Sequence, residues 1–143
     1  MTCLIAIDPG RYKCGLILAD PDRRLVLQGV TVKSTIVLNQ ITNWNKKDSI
    51  QSIILGNGTT SNYWQKLISQ FAPVITVDEK GTTLRARERY WELWPPSNWR
   101  ALLPRGVSLP PNDLDAVAAL LLLEDYLQMK LIWTGSPPIR IGF

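Results

Sequence analysis

Cys3-Leu4-Ile5-Ala6-Ile7-Asp8-Pro9-Gly10 is the stretch that decides the fold. Five apolar residues in a row, with no polar alternate, describe a strand covered on both faces rather than one with a wet side. Such strands lie in the middle of sheets that carry helices above and below. Asp8-Pro9-Gly10 then stops the run: Pro9 lacks a backbone donor, and Gly10 permits a tight turn or the close approach of a phosphate. An aspartate at the carboxyl end of a central buried strand stands where open α/β sheets place their ligands. In a plain turn, Asp8 would only accept backbone amide hydrogen bonds.

Two more apolar runs follow, at residues 14–19 and 25–32, with turn chemistry at Pro21-Asp22 between them. Three strands on such short connections form an antiparallel meander. Residues 34–45 carry Ile36, Val37, Ile41 and Trp44 at helical spacing, with Ser34 as the expected N-cap. A strand at 50–55 ends at Gly56-Asn57-Gly58, and Thr59 or Thr60 opens a helix through Phe71. The short strand Val74–Val77 leads to a helix capped by Thr82 or Thr83, which carries Arg85, Arg87 and Arg89. Residues 94–111 are too rich in proline for a regular helix and read as an ordered loop. A last helix spans about 113–130 behind Asn112 as N-cap. The expected architecture is a mixed five-stranded sheet, an antiparallel meander plus parallel strands, with helices on both faces. It fills residues 1–132, and residues 133–143 are left as an extended tail.

Composition narrows the chemistry. At 143 residues the chain suits one domain, and 45% hydrophobic residues give it a core to bury. The longest apolar run, 116–123, is too short to cross a bilayer, and the start shows no signal-peptide pattern. Cys3 and Cys14 sit in apolar runs and read as buried thiols of a reducing compartment, with a cytoplasmic location expected. Sixteen Lys and Arg against twelve Asp and Glu leave +4, which permits a nucleic-acid partner without demanding one. The chain has no histidine. Serine–histidine triads, imidazole bases and histidine zinc sites are therefore excluded.

What remains is carboxylate, lysine or metal chemistry. Asp78 and Glu79 follow a short strand, and their side chains should point to opposite faces, so at most one can join Asp8; otherwise they are simply acids near a helix N-terminus. Asp113 and Asp115 open a helix whose body, 116–123, is apolar all round. An acid at the mouth of a buried helix is set against protein and needs a partner, such as a metal ion. Asp115 as a capping-box acid is the structural alternative. Three acids from separate elements fit two Mg²⁺ or Mn²⁺ ions about 4 Å apart that activate water for phosphodiester cleavage. Such hard cations take oxygen ligands.

Asp8-Pro9-Gly10 with Lys13 and Gly15 resembles the opening motif of the YqgF and RuvC families, nucleases of the ribonuclease-H-like superfamily. Gly56-Asn57-Gly58-Thr59 is similar to the segment after the fourth strand of YqgF-type domains. Asp78-Glu79-Lys80 with Thr82-Thr83 resembles that family's Asp-Glu-Arg and Thr-Thr motif, and Asp115 with Ala118-Ala119 resembles its final helix. The resemblance reaches to about residue 127. It implies a ribonuclease-H-like fold and a metal-dependent nuclease, with Asp8, Glu79 and Asp115 as catalytic metal ligands for Mg²⁺ or Mn²⁺. The implied substrate is structured nucleic acid, precursor ribosomal RNA or branched DNA. One departure is that Tyr12-Lys13 stands where YqgF proteins usually carry a Lys-Arg pair.

A strand two places from the first lies about 10 Å away, so Glu79 reaches the site better than Asp78. Gly10, Arg11 and Lys13 are the expected phosphate contacts near the first strand, joined by Arg85 and Arg89. A wider surface would add Arg87, Arg100 and Arg105, with Trp91, Trp94 and Trp99 among them for stacked bases; tryptophans near prolines can equally close a small core. A non-catalytic domain of the same fold is the alternative, and a homodimer is compatible with either. An actin-like phosphotransferase ranks last, because it needs two such domains.

Overall fold

The computed structural model describes residues 2–96, 102, 110 and 113–143. Trp99, Arg100, Arg105 and Asn112, with most of the 94–111 loop, lie outside the described residues. The apolar runs become strands β1 (Thr2–Asp8), β2 (Lys13–Asp20), β3 (Leu25–Lys33), β4 (Ser49–Gly56) and β5 (Val74–Val77). Between and after them come α1 (Val37–Lys47), α2 (Ser61–Ile68), α3 (Thr82–Leu93) and α4 (Asp115–Leu127). The sheet is mixed, and helices cover both faces, as the sequence predicts. It holds one strand more than expected: β6 (Ile139–Ile141), from the 133–143 segment, pairs parallel to β3. The order is β5-β4-β1-β2-β3-β6.

β1 sits between β2 and β4, and its alternate residues feed two cores. Cys3, Ile5 and Ile7 pack with Val37, Ile41, Trp44, Trp64 and Ile68 of α1 and α2. Leu4 and Ala6 face Ala116, Ala119, Leu120 and Leu123 of α4. This double burial is why the strand shows no polar alternation. A third cluster joins α3 to α4 through Ala86, Tyr90, Trp91, Val117 and Leu121. Both cysteines are buried and free. No helix among the described residues is long and apolar enough to cross a membrane.

Helix starts differ from the sequence reading. Ser34 does not cap α1: a 3-10 turn at Ser34–Ile36 intervenes, and the Ser34 hydroxyl donates to the Arg11 carbonyl at 2.9 Å. α2 begins at Ser61 rather than behind a threonine side-chain cap. Gly81, with φ of 59°, precedes α3 in place of a threonine cap. α4 begins at Asp115, so Asp113 precedes the helix and Asp115 is its first residue. None of the four α-helices starts on a side-chain cap hydrogen bond.

The topology brings one end of every strand to the same place. β1, β3, β4, β5 and β6 run in one direction, and only β2 opposes them. The carboxyl ends at Asp8, Lys33, Gly56, Val77 and Ile141 therefore share a sheet edge with the start of β2 at Lys13.

Candidate active site

Asp8 closes β1 on the α4 side of the sheet, in step with Leu4 and Ala6. Across from it in the β1–β2 register stands Gly15. A Cβ on Gly15 would collide with the backbone carbonyl of Asp115. Glycine here lets the first turn of α4 rest directly on β2, which delivers Asp115 to the neighbourhood of Asp8. On the other flank, Glu79 must cross β4 to reach the same point. Cβ atoms on Gly56 or Gly58 would meet the Glu79 carboxylate, so those glycines give it its path. Glu79 ends in a hydrogen bond with Asp8.

The electrostatics follow from that convergence. Burial, the hydrogen bond to Glu79, and the negative charges of Glu79 and Asp115 push the Asp8 carboxyl from its ordinary 3.8 up to about 8. Two carboxylates at hydrogen-bonding distance cannot both ionise cheaply, so one proton holds them together. Cys14 braces the loop between: the Gly10 amide lies 3.4 Å from its Sγ, and its thiol donates to the Gly10 carbonyl at 3.7 Å. Burial pushes that thiol up to about 11, so Cys14 serves as packing rather than as a nucleophile.

Lys13 leans over the mouth of α4. Its Nζ is 3.3 Å from Asp113 Oδ1 and 3.3 Å from Asp115 Oδ2. Burial disfavours its charge, but Asp115 and Asp113 outweigh that and hold its pKa above the usual lysine range. Asp113 has a second cationic neighbour, Arg140 of β6, whose Nε is 2.9 Å from Oδ2. Gly10, Arg11, Tyr12, Lys13, Asp115, Arg140 and Phe143 line one cleft of about 470 Å³. The structure thus places Asp8, Glu79, Asp115, Gly10, Arg11 and Lys13 together. Asp78 stays outside, half-paired with Lys80 at 3.9 Å.

Arg85 and Arg89 are elsewhere. Arg85 forms a bidentate pair with Asp125, at 2.6 and 3.0 Å. Arg89 is only 8% exposed and donates to Glu124 at 3.1 and 2.8 Å and to the Leu131 carbonyl at 3.0 Å. The structure uses these guanidiniums to fasten α3 to α4. Trp94 packs on Trp133 with ring centres 5.0 Å apart and donates to the Gly135 carbonyl, which is the core-closing alternative for that tryptophan. Sequence reasoning missed Arg140, although the alternation of Ile139-Arg140-Ile141 is strand-like; three residues behind two prolines were too short to stand out.

Oxygen-only donors suit a hard divalent cation. Asp115 Oδ2 is buried, and its nearest cationic partner is Lys13 Nζ at 3.3 Å. Among the described residues, however, no three acidic, cysteine or histidine groups stand gathered as a finished metal cluster. The acids converge with a proton and Lys13 between them.

Two Bacteroides fragilis proteins, each provisionally named a pre-16S rRNA nuclease, are 27% identical to the chain over 150 residues. The match covers 91% of this chain and 99% of theirs. Among solved structures, Thermus thermophilus RuvC in complex with a Holliday junction substrate superposes with a TM-score of 0.50 at 15% identity, covering 90% of this chain and 96% of that one. The chain is YqgF/RuvC-like. No protein-family model matches it. The likeness to that structural neighbour is one of fold, a ribonuclease-H-like mixed sheet flanked by helices.

Proposed function

We propose that this protein is a nuclease that hydrolyses phosphodiester bonds in structured nucleic acid, precursor ribosomal RNA or branched DNA, using Mg²⁺ or Mn²⁺. One observation carries the reading: Asp8, Glu79 and Asp115 come from β1, the loop after β5 and the start of α4, and the buried Asp8 carboxyl, hydrogen-bonded to Glu79 and in the field of Asp115, is pushed up to about 8. Carboxylates gathered in a half-buried pocket need a proton or a cation to offset their charge, and a divalent ion is the cation that these oxygens suit. Asp8, Glu79 and Asp115 would hold the cation. When bound, it supplies Lewis-acid stabilisation of phosphoryl charge and a more acidic water, and a pair of ions would serve both the attacking and the leaving oxygens. Gly10 lets the turn close tightly, since a Cβ there would strike the Lys13 carbonyl, and Arg11 beside it offers positive charge to a phosphate. Lys13 keeps the acids of α4 in place and stands ready beside an approaching phosphate. The names of the relatives support nuclease chemistry and the two substrate classes.

The test is a cleavage panel of branched DNA, duplex DNA and precursor ribosomal RNA fragments, with and without Mg²⁺ or Mn²⁺. The parent should cut at least one substrate only with metal, and Asp8→Asn should cut none. Equal activity in parent and variant removes the proposal. A non-catalytic reading has its own support in Lys13, which already neutralises Asp113 and Asp115. It predicts binding without cleavage by the parent on every substrate.

A further inference from the structure

The 133–143 segment brings side chains to the site that its sequence neighbours do not foreshadow. Ile132 first pairs with the start of β3, exchanging hydrogen bonds of 2.7 and 2.8 Å with Arg24 and Val26. Trp133 then covers Gly29, where a Cβ would strike its ring. β6 continues along β3 with Arg140 opposite Thr31, so its end reaches the sheet edge that holds Asp8. There Arg140 faces Asp113. Gly142, with φ of 87°, lies so close to Ile36 that a side chain would not fit, and this turn folds Phe143 back until the Arg140 guanidinium lies 4.0 Å over its ring. Phe143 is 59% exposed and Tyr12, across the same cleft, is 76% exposed. Two exposed aromatic rings beside three cations, Arg11, Lys13 and Arg140, put stacking faces and positive charge in one cleft.

Resting on the nuclease reading above, we propose that Arg140 and Phe143, with Tyr12, form a docking shelf for an unpaired strand of the substrate beside the carboxylate site. Arg140 takes a backbone phosphate, and Phe143 takes a base on its ring. A guanidinium carries five N–H donors in a planar fork, and the Asp113 contact is made through Nε. An aromatic face stabilised on one side by a cation offers the other to a base without regard to sequence. The arrangement is one of phosphate attraction plus stacking, the usual chemistry of single-strand recognition.

The experiment measures binding of fluorescein-labelled single strands, one RNA and one DNA, with cleavage-resistant phosphorothioate backbones, in Mg²⁺ across a series of salt concentrations. Phe143→Ala should weaken binding roughly tenfold through lost stacking. Arg140→Ala should lower the slope of log affinity against log salt by about 0.7, the share of one single-strand phosphate contact. Asp113→Asn separates this role from a structural one: it breaks the same ion pair but leaves the guanidinium free, so binding should hold or tighten, whereas a merely structural Arg140 predicts the same loss as Arg140→Ala. The RNA and DNA arms show which backbone the shelf prefers. Unchanged affinity and salt slope in both Arg140→Ala and Phe143→Ala, with a parent that binds, overturn the shelf and leave the nuclease reading intact. A parent that neither binds these strands nor cuts in the cleavage panel overturns both.

Discussion

Asp8 is where the fold has concentrated its electrostatic cost. Its carboxyl titrates near 8 in the folded chain against 3.8 ordinarily, so the folded state prefers the protonated form. That preference supports folding fully below pH about 4 and is lost as pH rises through about 8. Without divalent metal, urea unfolding should show stability falling across that window, by no more than about 1.4 kcal/mol per pH unit. Asp8→Asn should flatten the slope and abolish metal-dependent cleavage. An unchanged slope in the variant would assign the pH dependence to other groups. Gly56 belongs to the same scale. A methyl there must displace the Glu79 carboxylate, so Gly56→Ala should lower cleavage by roughly tenfold or more through misplacement alone. Its melting temperature should stay near the parent's, because the obstructed atoms are the end of a flexible side chain.

At the scale of elements, the contact between α3 and α4 rests on a buried ion network. Glu124 accepts two hydrogen bonds from Arg89 and a third, at 2.7 Å, from the Leu131 amide. Removing Arg89 leaves the buried Glu124 carboxylate with the Leu131 amide as its hydrogen-bond donor and only the more distant charge of Arg85, a loss of about 3–5 kcal/mol for a broken buried pair. Denaturant unfolding of Arg89→Met should show that loss. The double variant Arg89→Met with Glu124→Met should recover much of it, since two apolar groups need no partner. Non-recovery would mean that the pair contributes more than mutual neutralisation. Because Arg89 lies away from the carboxylate cluster, nucleic-acid affinity of any folded variant should change little.

For the whole molecule, the sheet edge, the α4 N-terminus and the strand ends converge on one negative pocket set in a chain of net charge +4. On the proposed nuclease reading, this pocket would bind cations in the folded state and not in the dispersed chain. Mg²⁺ or Mn²⁺ should therefore raise the melting temperature, with about 2.7 kcal/mol of added stability at a metal concentration one hundred times the dissociation constant. Thermal melts with and without millimolar metal measure it directly, and the increment should vanish in Asp8→Asn. No shift for the parent would leave the proton and Lys13 as the pocket's full complement, and favour binding without catalysis.

The amino-acid sequence by itself determined the fold class and most of the elements. The run without alternation from Cys3 to Ile7, stopped by Asp8-Pro9-Gly10, marks a doubly covered strand, whereas Val74–Val77 lies at the sheet edge with none of its residues fully buried; the preference for Glu79 over Asp78 rests on strand spacing. The sequence also excluded histidine chemistry outright. Only the tertiary structure decided which charges are free. Arg85 and Arg89 look like any surface arginines along the chain, and it is the packing of α3 on α4 that turns them toward Asp125 and Glu124. Likewise Ile139–Ile141 is too short to declare itself as a strand, and becomes one because the exposed edge of β3 offers it unpaired backbone groups. Local pattern is written in neighbours three or four residues apart, whereas the partner of a charge or of a sheet edge is chosen by residues a hundred positions away, as Lys13 and Asp113 are.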